Sequence, residues 1–250
     1  MLAMYYALTD PSHSADPEVC VKNPQQDRFI SYSLVTEGVW EQEEVTNVLS
    51  AVLRASNSSK VIFLDLGANI GVFSLAVAHL LLQLKKEQTL VSWPRVLAVE
   101  AMADNLAYLK ASVQANGFPP DLVTLVHHSL SDVEELMYPV GFPDGDPTTN
   151  PGAILFVKEE HLIGRKVLGP PTSSVTLPHL LATLPPASTV IIKMDIEGQE
   201  CRVLNAPGVF ESGHSIPYIF MEWRTLVILG SCPSLAALVS HLEDAGYRPR

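Results

Sequence analysis

Apolar runs and amphipathic segments alternate along most of this 250-residue chain. Residues 61–66, VIFLDL, form a short apolar run with β-branched members, which is typical of a strand buried on both faces. In residues 41–55, apolar side chains recur at helical spacing behind an acidic first turn, the pattern of an amphipathic helix. The same two patterns predict further strands at 95–100, 122–127, 189–194 and 218–222, and further helices at 72–85, 104–116, 200–205 and 234–245.

Strands that alternate with helices at this spacing indicate βαβ units, and therefore a mostly parallel sheet with helices on both faces. The predicted fold class is a doubly wound, Rossmann-like α/β fold. Such folds bind ligands at the carboxyl ends of the strands, where the strand order reverses. We expect one domain over residues 1–250, with 1–60 as an extended lead-in and helix and 61–250 as the core.

Residues 133–188 interrupt the alternation of strands and helices, and they hold 9 of the 19 prolines. A structureless connection of this length is uncommon in a compact domain, so we expect a strand near 153–158 and a short helix near 178–184. An insertion at this point lies over the carboxyl end of the sheet, which predicts a substrate lid. The alternative is a surface insertion without a role in binding.

Charge and composition exclude several classes of protein. The formal net charge is 16 − 27 = −11, and no basic patch is visible, so the chain has no general attraction for the phosphates of nucleic acid. No apolar run approaches the roughly 18 residues of a membrane span. We therefore expect no nucleic-acid partner and no membrane span in this chain, while an anchor outside it stays open.

The three cysteines, Cys20, Cys201 and Cys232, lie far apart in the sequence. They form neither a zinc-binding spacing nor an even set for a disulfide framework, so we expect three free thiols and no zinc site. We expect no other metal site, with a divalent cation bridging Asp195, Glu197 or Glu222 as the alternative. Free thiols are typical of reducing compartments, which favours the cytoplasm without establishing it.

The sharpest local signal is a glycine turn between the strand at 61–66 and the helix at 72–85, with the sequence Asp65-Leu-Gly67-Ala-Asn69-Ile-Gly71. Such a turn lets the backbone approach a ligand, and asparagine tolerates the left-handed backbone that glycine often adopts there. The last glycine comes one residue earlier than in a dinucleotide-binding G-x-G-x-x-G turn, and Asp65 would repel a pyrophosphate. The turn therefore favours a polar or cationic ligand.

Further acids follow the other predicted strands. Glu100 ends the second strand, where nucleotide-binding α/β folds place an acceptor for ribose hydroxyls. Lys193 and Asp195 share one face of the fourth strand, and we expect Asp195 to face Gly67 where the strand order reverses. Glu222 and Trp223 end the fifth strand at the same rim. A purely structural lysine–carboxylate network is the alternative reading of the fourth strand.

These motifs resemble the class I S-adenosylmethionine-dependent methyltransferases, and specifically the FkbM-type family. The resemblance runs over residues 61–247 and is carried by DLGANIGVFSL (65–75), VLAVEA (96–101), SLSD (129–132), IIKMDIEGQE (191–200) and IFMEW (219–223). The block K-x-D-x-E-G-x-E is its most specific part. The resemblance implies S-adenosylmethionine as the cofactor and transfer of a methyl group to a hydroxyl of a small molecule or sugar.

The resemblance also implies roles for individual residues. Asp195 would act near the methyl group and is our first choice of base, Lys193 is the second if burial lowers its pKa, and Glu222 would stand beside them. The cofactor would be held by Asp65, Gly67, Asn69 and Gly71 around its methionine part, by Glu100 at the ribose, and by Ser131 and Asp132 near the adenine.

The end of the chain departs from the family pattern. Class I methyltransferases usually add a sixth and an antiparallel seventh strand, and no sequence remains for them after residue 247. We therefore expect an open sheet edge at residues 218–222, which should lead either to self-association through it or to poor expression. A nicotinamide-dependent oxidoreductase, a binding module without transfer activity and a nucleic-acid methyltransferase remain as alternative functions.

Overall fold

A sheet of five parallel strands forms the centre of the computed structural model, which describes residues 2–4, 17–56, 60–86, 95–141, 154–229 and 232–248. Its spatial order is β5-β4-β3-β10-β11, so the chain winds outward in one direction from β3 and then returns to wind in the other. The predicted doubly wound, Rossmann-like class is confirmed. The sheet is built from β3 (Val61–Leu66), β4 (Arg95–Glu100), β5 (Val123–His127), β10 (Thr189–Met194) and β11 (Ser215–Met221).

Helices cover both faces of this sheet because consecutive strand residues point to opposite sides. On one face, Phe63 and Ile191 pack with residues of the first three long helices, and on the other, Leu64 and Ile192 pack with the later helices. The first group is α2 (Gln42–Ala55), α3 (Val72–Lys86) and α4 (Ala103–Ala115). The second group is α5 (Leu177–Ala182), α6 (Glu200–Leu204), α7 (Arg224–Leu229) and α8 (Leu235–Asp244). None of the described helices is long and apolar enough to cross a membrane.

The insertion between β5 and β10 folds as a small second sheet of order β6-β9-β7-β8. The sequence predicts a strand and a helix there, and both are present, as β8 (Ile154–Val157) and α5. The other strands were missed for three different reasons. The strand β6 has only two residues, β7 carries a proline, and β9 (TSSV) is mostly polar. These are β6 (Ser129–Leu130), β7 (Leu136–Gly141) and β9 (Thr172–Val175), with a 3₁₀ turn at Glu159–His161. Part of the insertion, residues 142–153, lies outside the described residues.

The N-terminal lead-in is more ordered than its polar sequence predicts. It contains β1 (Leu2–Met4), the antiparallel β2 (Glu18–Cys20) and a short helix, α1 (Ile30–Thr36). The strand β2 is tied to α4, because the Glu18 amide donates to Asn116 and the Cys20 amide donates to Ser112. These bonds use side chains 98 and 92 residues away, so no local pattern could reveal them.

Two of the three cysteines form a disulfide, which corrects the prediction of free thiols. Cys201 in α6 and Cys232 before α8 are joined, with their Cα atoms 5.5 Å apart, and Cys20 is free. The sequence separation of 31 residues carries no signal for this pair, which depends on α6 and α8 packing on the same face of the sheet. The argument for a reducing compartment rested on free thiols and is no longer supported.

The last strand, β11, forms one edge of the central sheet, and within the described residues no strand pairs with its outer side. Two features blunt this edge. Pro217 has no amide hydrogen and lies where the register with β10 shifts, and the Tyr247 hydroxyl donates to the Ile216 carbonyl at 2.5 Å. The remaining edge residues, Tyr218–Met221, are apolar and β-prone, and neither Pro217 nor Tyr247 covers them by these contacts.

We expect the protein to self-associate through β11, because an unpaired strand edge is a template for another chain. Light scattering over a range of concentrations should then give a mass above that of the monomer. Ser215→Lys places a charge on an exposed edge residue and should lower the average mass. A monomeric mass at every concentration would show that Pro217 and Tyr247 protect the edge sufficiently.

Candidate functional site

The loops that follow β3 and β10 meet where the strand order reverses, as the sequence predicts. The Asp195 amide donates to the Leu66 carbonyl at 3.0 Å, and a Cβ added to Gly67 would lie 1.8 Å from the Asp195 carbonyl oxygen. Gly67 also has a φ of +81°, which L side chains rarely adopt. Glycine is therefore required at position 67 because another loop of the same chain passes so close to it.

A buried cation lies below this junction. Lys193 and Asp65 are directly paired across β10 and β3, and their side chains point to the same face. The Lys193 Nζ donates to the Gly67 carbonyl at 3.0 Å and lies 3.7 Å from Asp65 Oδ1 and 3.6 Å from Asp195 Oδ2. The Ser74 hydroxyl donates to the other Asp65 oxygen at 2.6 Å.

Lys193 does not meet the condition under which it could act as a base. Burial alone would lower the pKa of Lys193, but the carboxylates of Asp195, Asp65, Glu41 and Glu100 together outweigh it and raise the pKa above its ordinary value. A lysine that stays protonated donates hydrogen bonds and holds anions in place. The structure therefore supports Lys193 as the cation that fixes the Gly67 turn and the two aspartates.

Glu100 closes the second strand with its carboxylate under the glycine turn. It accepts hydrogen bonds from the Asn69 amide at 2.8 Å, the Met102 amide at 2.7 Å and the Asn105 side chain at 3.3 Å. Asn69 has a φ of +51°, the left-handed backbone expected of it, and this conformation points its amide toward Glu100. Burial raises the pKa of Glu100, and the bonds that it accepts oppose the shift.

A cavity of about 320 Å³ runs across the carboxyl ends of the strands from β5 to β11. Its volume is at the lower end of the range typical of small-molecule sites. Five of the residues singled out from the sequence line it: Gly67, Asn69, Glu100, Asp195 and Glu222. Five others do not, namely Asp65, Gly71, Ser131, Asp132 and Lys193.

Ser131 and Asp132 are engaged elsewhere. The Ser131 hydroxyl donates to Asp132 and to Glu135, and the Arg202 guanidinium lies against both of these carboxylates. Partial burial would raise the pKa of Asp132, but the charge of Arg202 together with the hydrogen bonds from Ser131, Arg202 and the backbone outweighs it and lowers the pKa. The implied role of these two residues at an adenine ring therefore has no support from their contacts. Arg202 comes from α6, and its reach to this loop could not be foreseen from sequence.

Acidic side chains dominate the end of the cavity beside β10 and β11. Glu41, Asp195, Glu197 and Glu222 all line it, while Arg224 is the one lysine or arginine among the described lining residues. Burial and the neighbouring carboxylates raise the pKa of Glu197 to about 8. Within the described residues, no group of three or more histidine, cysteine, aspartate or glutamate side chains has an arrangement suited to a metal ion.

Two of these acids are held by unusual backbone. Glu41 and Glu197 have φ values of +47° and +52°, a conformation that costs free energy in residues other than glycine. Strained positions of this kind concentrate at functional sites. The loop of Glu197 is braced by Glu200, whose Oε1 accepts the Ile196 amide at 3.0 Å.

The walls of the cavity include residues that the sequence did not reveal. Some of these residues lie in the lead-in and the inserted sheet, which approach the cavity only in the folded chain, and others lie within or beside the sequence motifs but were given no role of their own. The apolar or aromatic ones are Phe29, Ile30, Trp40, Val99, Met102, Leu130, Ile154 and Phe156, and His128, Ser129 and Gln199 are polar. Ile154 and Phe156 belong to the predicted lid, so part of the insertion does border the cavity.

Neither a protein-family model nor a curated protein sequence matches this chain. Among solved structures, a precorrin-6Y C5,15-methyltransferase from Geobacter metallireducens is similar, with 17% identity and a TM-score of 0.42. This match covers 85% of this chain and 75% of the other. A precorrin-8W decarboxylase from Methanobacterium thermoautotrophicum is also similar, with 13% identity, a TM-score of 0.38, and coverage of 81% and 72%.

Proposed function

We propose that this protein transfers a methyl group from S-adenosylmethionine to a hydroxyl oxygen of a small molecule or sugar. The observation that carries the proposal is the distribution of charge along the cavity. Glu100 lies on one side of the Gly67 turn, and Asp195, Glu197 and Glu222 lie on the other. This arrangement suits a ligand that has ribose hydroxyls at one end and positive charge at the other. Membership of the FkbM-type family remains a prediction from sequence.

The residues present fit such a cofactor. A carboxylate has about four lone-pair sites, and Glu100 uses three of them within the protein, so it retains capacity for a ribose hydroxyl. The acidic end would stabilise a sulfonium and an ammonium group, and it would repel the pyrophosphate of a dinucleotide. Bound S-adenosylmethionine would supply an electrophilic methyl group at this end.

The side chains of the acidic end then have distinct tasks. Asp195 would accept the proton that the acceptor hydroxyl loses as its oxygen bonds to the methyl carbon, while the bond from this carbon to sulfur would break and S-adenosylhomocysteine would leave. Lys193 would keep Asp195 oriented, and Glu222, whose pKa is raised by burial, would border the acceptor. The cavity walls would hold the reacting atoms in line, which is the largest contribution an enzyme makes to such a displacement.

Calorimetry with S-adenosylmethionine and its demethylated product, S-adenosylhomocysteine, tests the proposal directly. We expect both to bind and NAD not to bind. Glu100→Ala should weaken binding of S-adenosylhomocysteine by roughly 1–3 kcal/mol, because hydrogen bonds to a charged acceptor are the stronger kind.

Two further variants make this experiment specific. Glu100→Gln keeps the size of the side chain and one acceptor oxygen, while its new amide group faces a donor of Asn69 or Met102. Its loss of affinity should therefore be smaller than that of Glu100→Ala but not zero. Glu211→Ala removes an exposed carboxylate that does not line the cavity and should leave affinity unchanged. Binding of NAD but not of S-adenosylhomocysteine would indicate an oxidoreductase instead. Binding without transfer to any hydroxyl compound would indicate a binding module.

A further inference from the structure

A buried asparagine connects Glu100 to a lysine of the lead-in. Asn105, in the first turn of α4, is 3% exposed and lines the cavity. Its side-chain nitrogen donates to Glu100 Oε1 at 3.3 Å, and its side-chain oxygen accepts a hydrogen bond from Lys22 Nζ. Lys22 is not among the residues that line the cavity, so its contact with the cavity wall runs through Asn105.

The chemistry of Lys22 decides which way the Asn105 amide turns. An ammonium group has donors only, whereas an asparagine amide has an acceptor oxygen on one side and a donor nitrogen on the other. With Lys22 in place, the oxygen faces the ammonium group and the nitrogen faces Glu100. Without Lys22 this constraint is lost, and a reversed amide would bring its oxygen toward the Glu100 carboxylate, which repels it.

The backbone around Lys22 is fixed to the rest of the fold. The Lys22 amide donates to the Ser31 hydroxyl at 3.0 Å, and β2, which ends two residues earlier, is tied to α4. The adjoining Val21 is 2% exposed and belongs to the hydrophobic core on the face of the sheet that α4 covers. The Lys22 side chain therefore reaches Asn105 from a position that the lead-in holds constant.

We propose that Lys22 is a positioning residue of the cofactor site, which holds the Asn105 amide so that it donates to Glu100 and directs the Glu100 carboxylate at the ribose hydroxyls. This inference rests on the proposed function. The backbone amides of Asn69 and Met102 that also donate to Glu100 are fixed by the main chain, whereas the Asn105 amide can turn and so needs a partner. The lead-in thereby becomes part of the cofactor site.

Calorimetry with S-adenosylhomocysteine tests the connection between Lys22 and Asn105. Lys22→Met keeps an apolar stem of similar length without the ammonium group, and its affinity should fall about 3- to 10-fold, the usual effect of one hydrogen bond. Lys110→Met, the matched control, removes an exposed lysine of α4 outside the cavity and should leave affinity unchanged. In an Asn105→Ala background, Lys22→Met should change affinity by less than about twofold, because the amide that it orients is absent.

A second ligand separates positioning of Glu100 from a general effect on the cavity wall. The probe is an analogue of S-adenosylhomocysteine that lacks both ribose hydroxyls. Lys22→Met and the wild-type protein should bind this analogue within about twofold of each other, because it offers Glu100 no hydroxyl. A lysine with a merely structural role would instead weaken both ligands equally.

Three outcomes would overturn the inference and leave the proposed function intact. They are an unchanged affinity for S-adenosylhomocysteine in Lys22→Met, equal losses with and without Asn105, and equal losses for the two ligands. Failure of the wild-type protein to bind S-adenosylhomocysteine at all would overturn the proposed function itself.

Discussion

Replacement of Asp195 by asparagine is expected to lower kcat by a factor of roughly 10²–10⁴ and to weaken binding of S-adenosylmethionine much less, because the other carboxylates of the acidic end remain. Asparagine has almost the shape of aspartate but cannot take up a proton at neutral pH. Lys193 keeps its contacts with Asp65 and the Gly67 carbonyl, so the turn should retain its position. Single-turnover kinetics with a hydroxyl acceptor, together with calorimetry, would measure both quantities.

The matched control is Asp121→Asn, which removes the charge of an exposed aspartate outside the cavity. It should leave kcat and affinity unchanged. Equal losses of rate and cofactor affinity in Asp195→Asn would assign Asp195 to cofactor positioning. An unchanged kcat would exclude Asp195 as the proton acceptor. Glu197 would then be the next candidate for this role, because its pKa is raised toward neutral pH.

The stability of the protein should fall as the pH rises from 5 to 8, and Glu200→Gln should reduce this fall. Burial raises the pKa of Glu200 from 4.5 to about 7, although the hydrogen bond from Ile196 opposes the shift. Between these two values the folded protein holds a proton that the unfolded chain has released. Stability therefore decreases with rising pH through this window, by at most about 3 kcal/mol for this one group.

Urea unfolding at pH 5, 6, 7 and 8 would measure the effect. The free energy of unfolding of Glu200→Gln should decline less between pH 5 and pH 8 than that of the wild-type protein. Any constant cost of the substitution, such as an unpaired amide hydrogen, cancels in this comparison. Glu243→Gln, at an exposed site in the last turn of α8, should reproduce the wild-type slope. Identical slopes for Glu200→Gln and the wild-type protein would show that Glu200 ionises normally.

The strands of the central sheet could be predicted well because each one carries its own signal. For β3 and β10, the apolar runs predict the bounds found in the structure. The pairing of Lys193 with Asp65 also follows from simple rules, since both lie on one face of adjacent parallel strands. Acids at the ends of several parallel strands must meet at one edge of the sheet, so Glu100, Asp195 and Glu222 could be assigned to a common cavity from their positions alone.

Other contacts depend on packing between distant segments and leave no local trace. The disulfide between Cys201 and Cys232 forms because two helices share one face of the sheet. Trp40 and Glu41 reach the cavity because α2 packs against α3, and Asp132 turns away from it because Arg202 approaches from α6. In each case the partner is chosen by the tertiary fold.

The amino-acid pattern alone thus determined the five strands of the central sheet, their parallel direction and the edge at which their acids converge, because strand and helix periodicities are local properties. The tertiary structure decided which of those polar groups remain free to bind a ligand. Ser131 and Asp132 are occupied by each other and by Glu135 and Arg202, whereas Glu100 and Asp195 line the cavity. A hydrogen bond is exclusive and short-ranged, so its partner is decided only when segments far apart in the sequence come into contact.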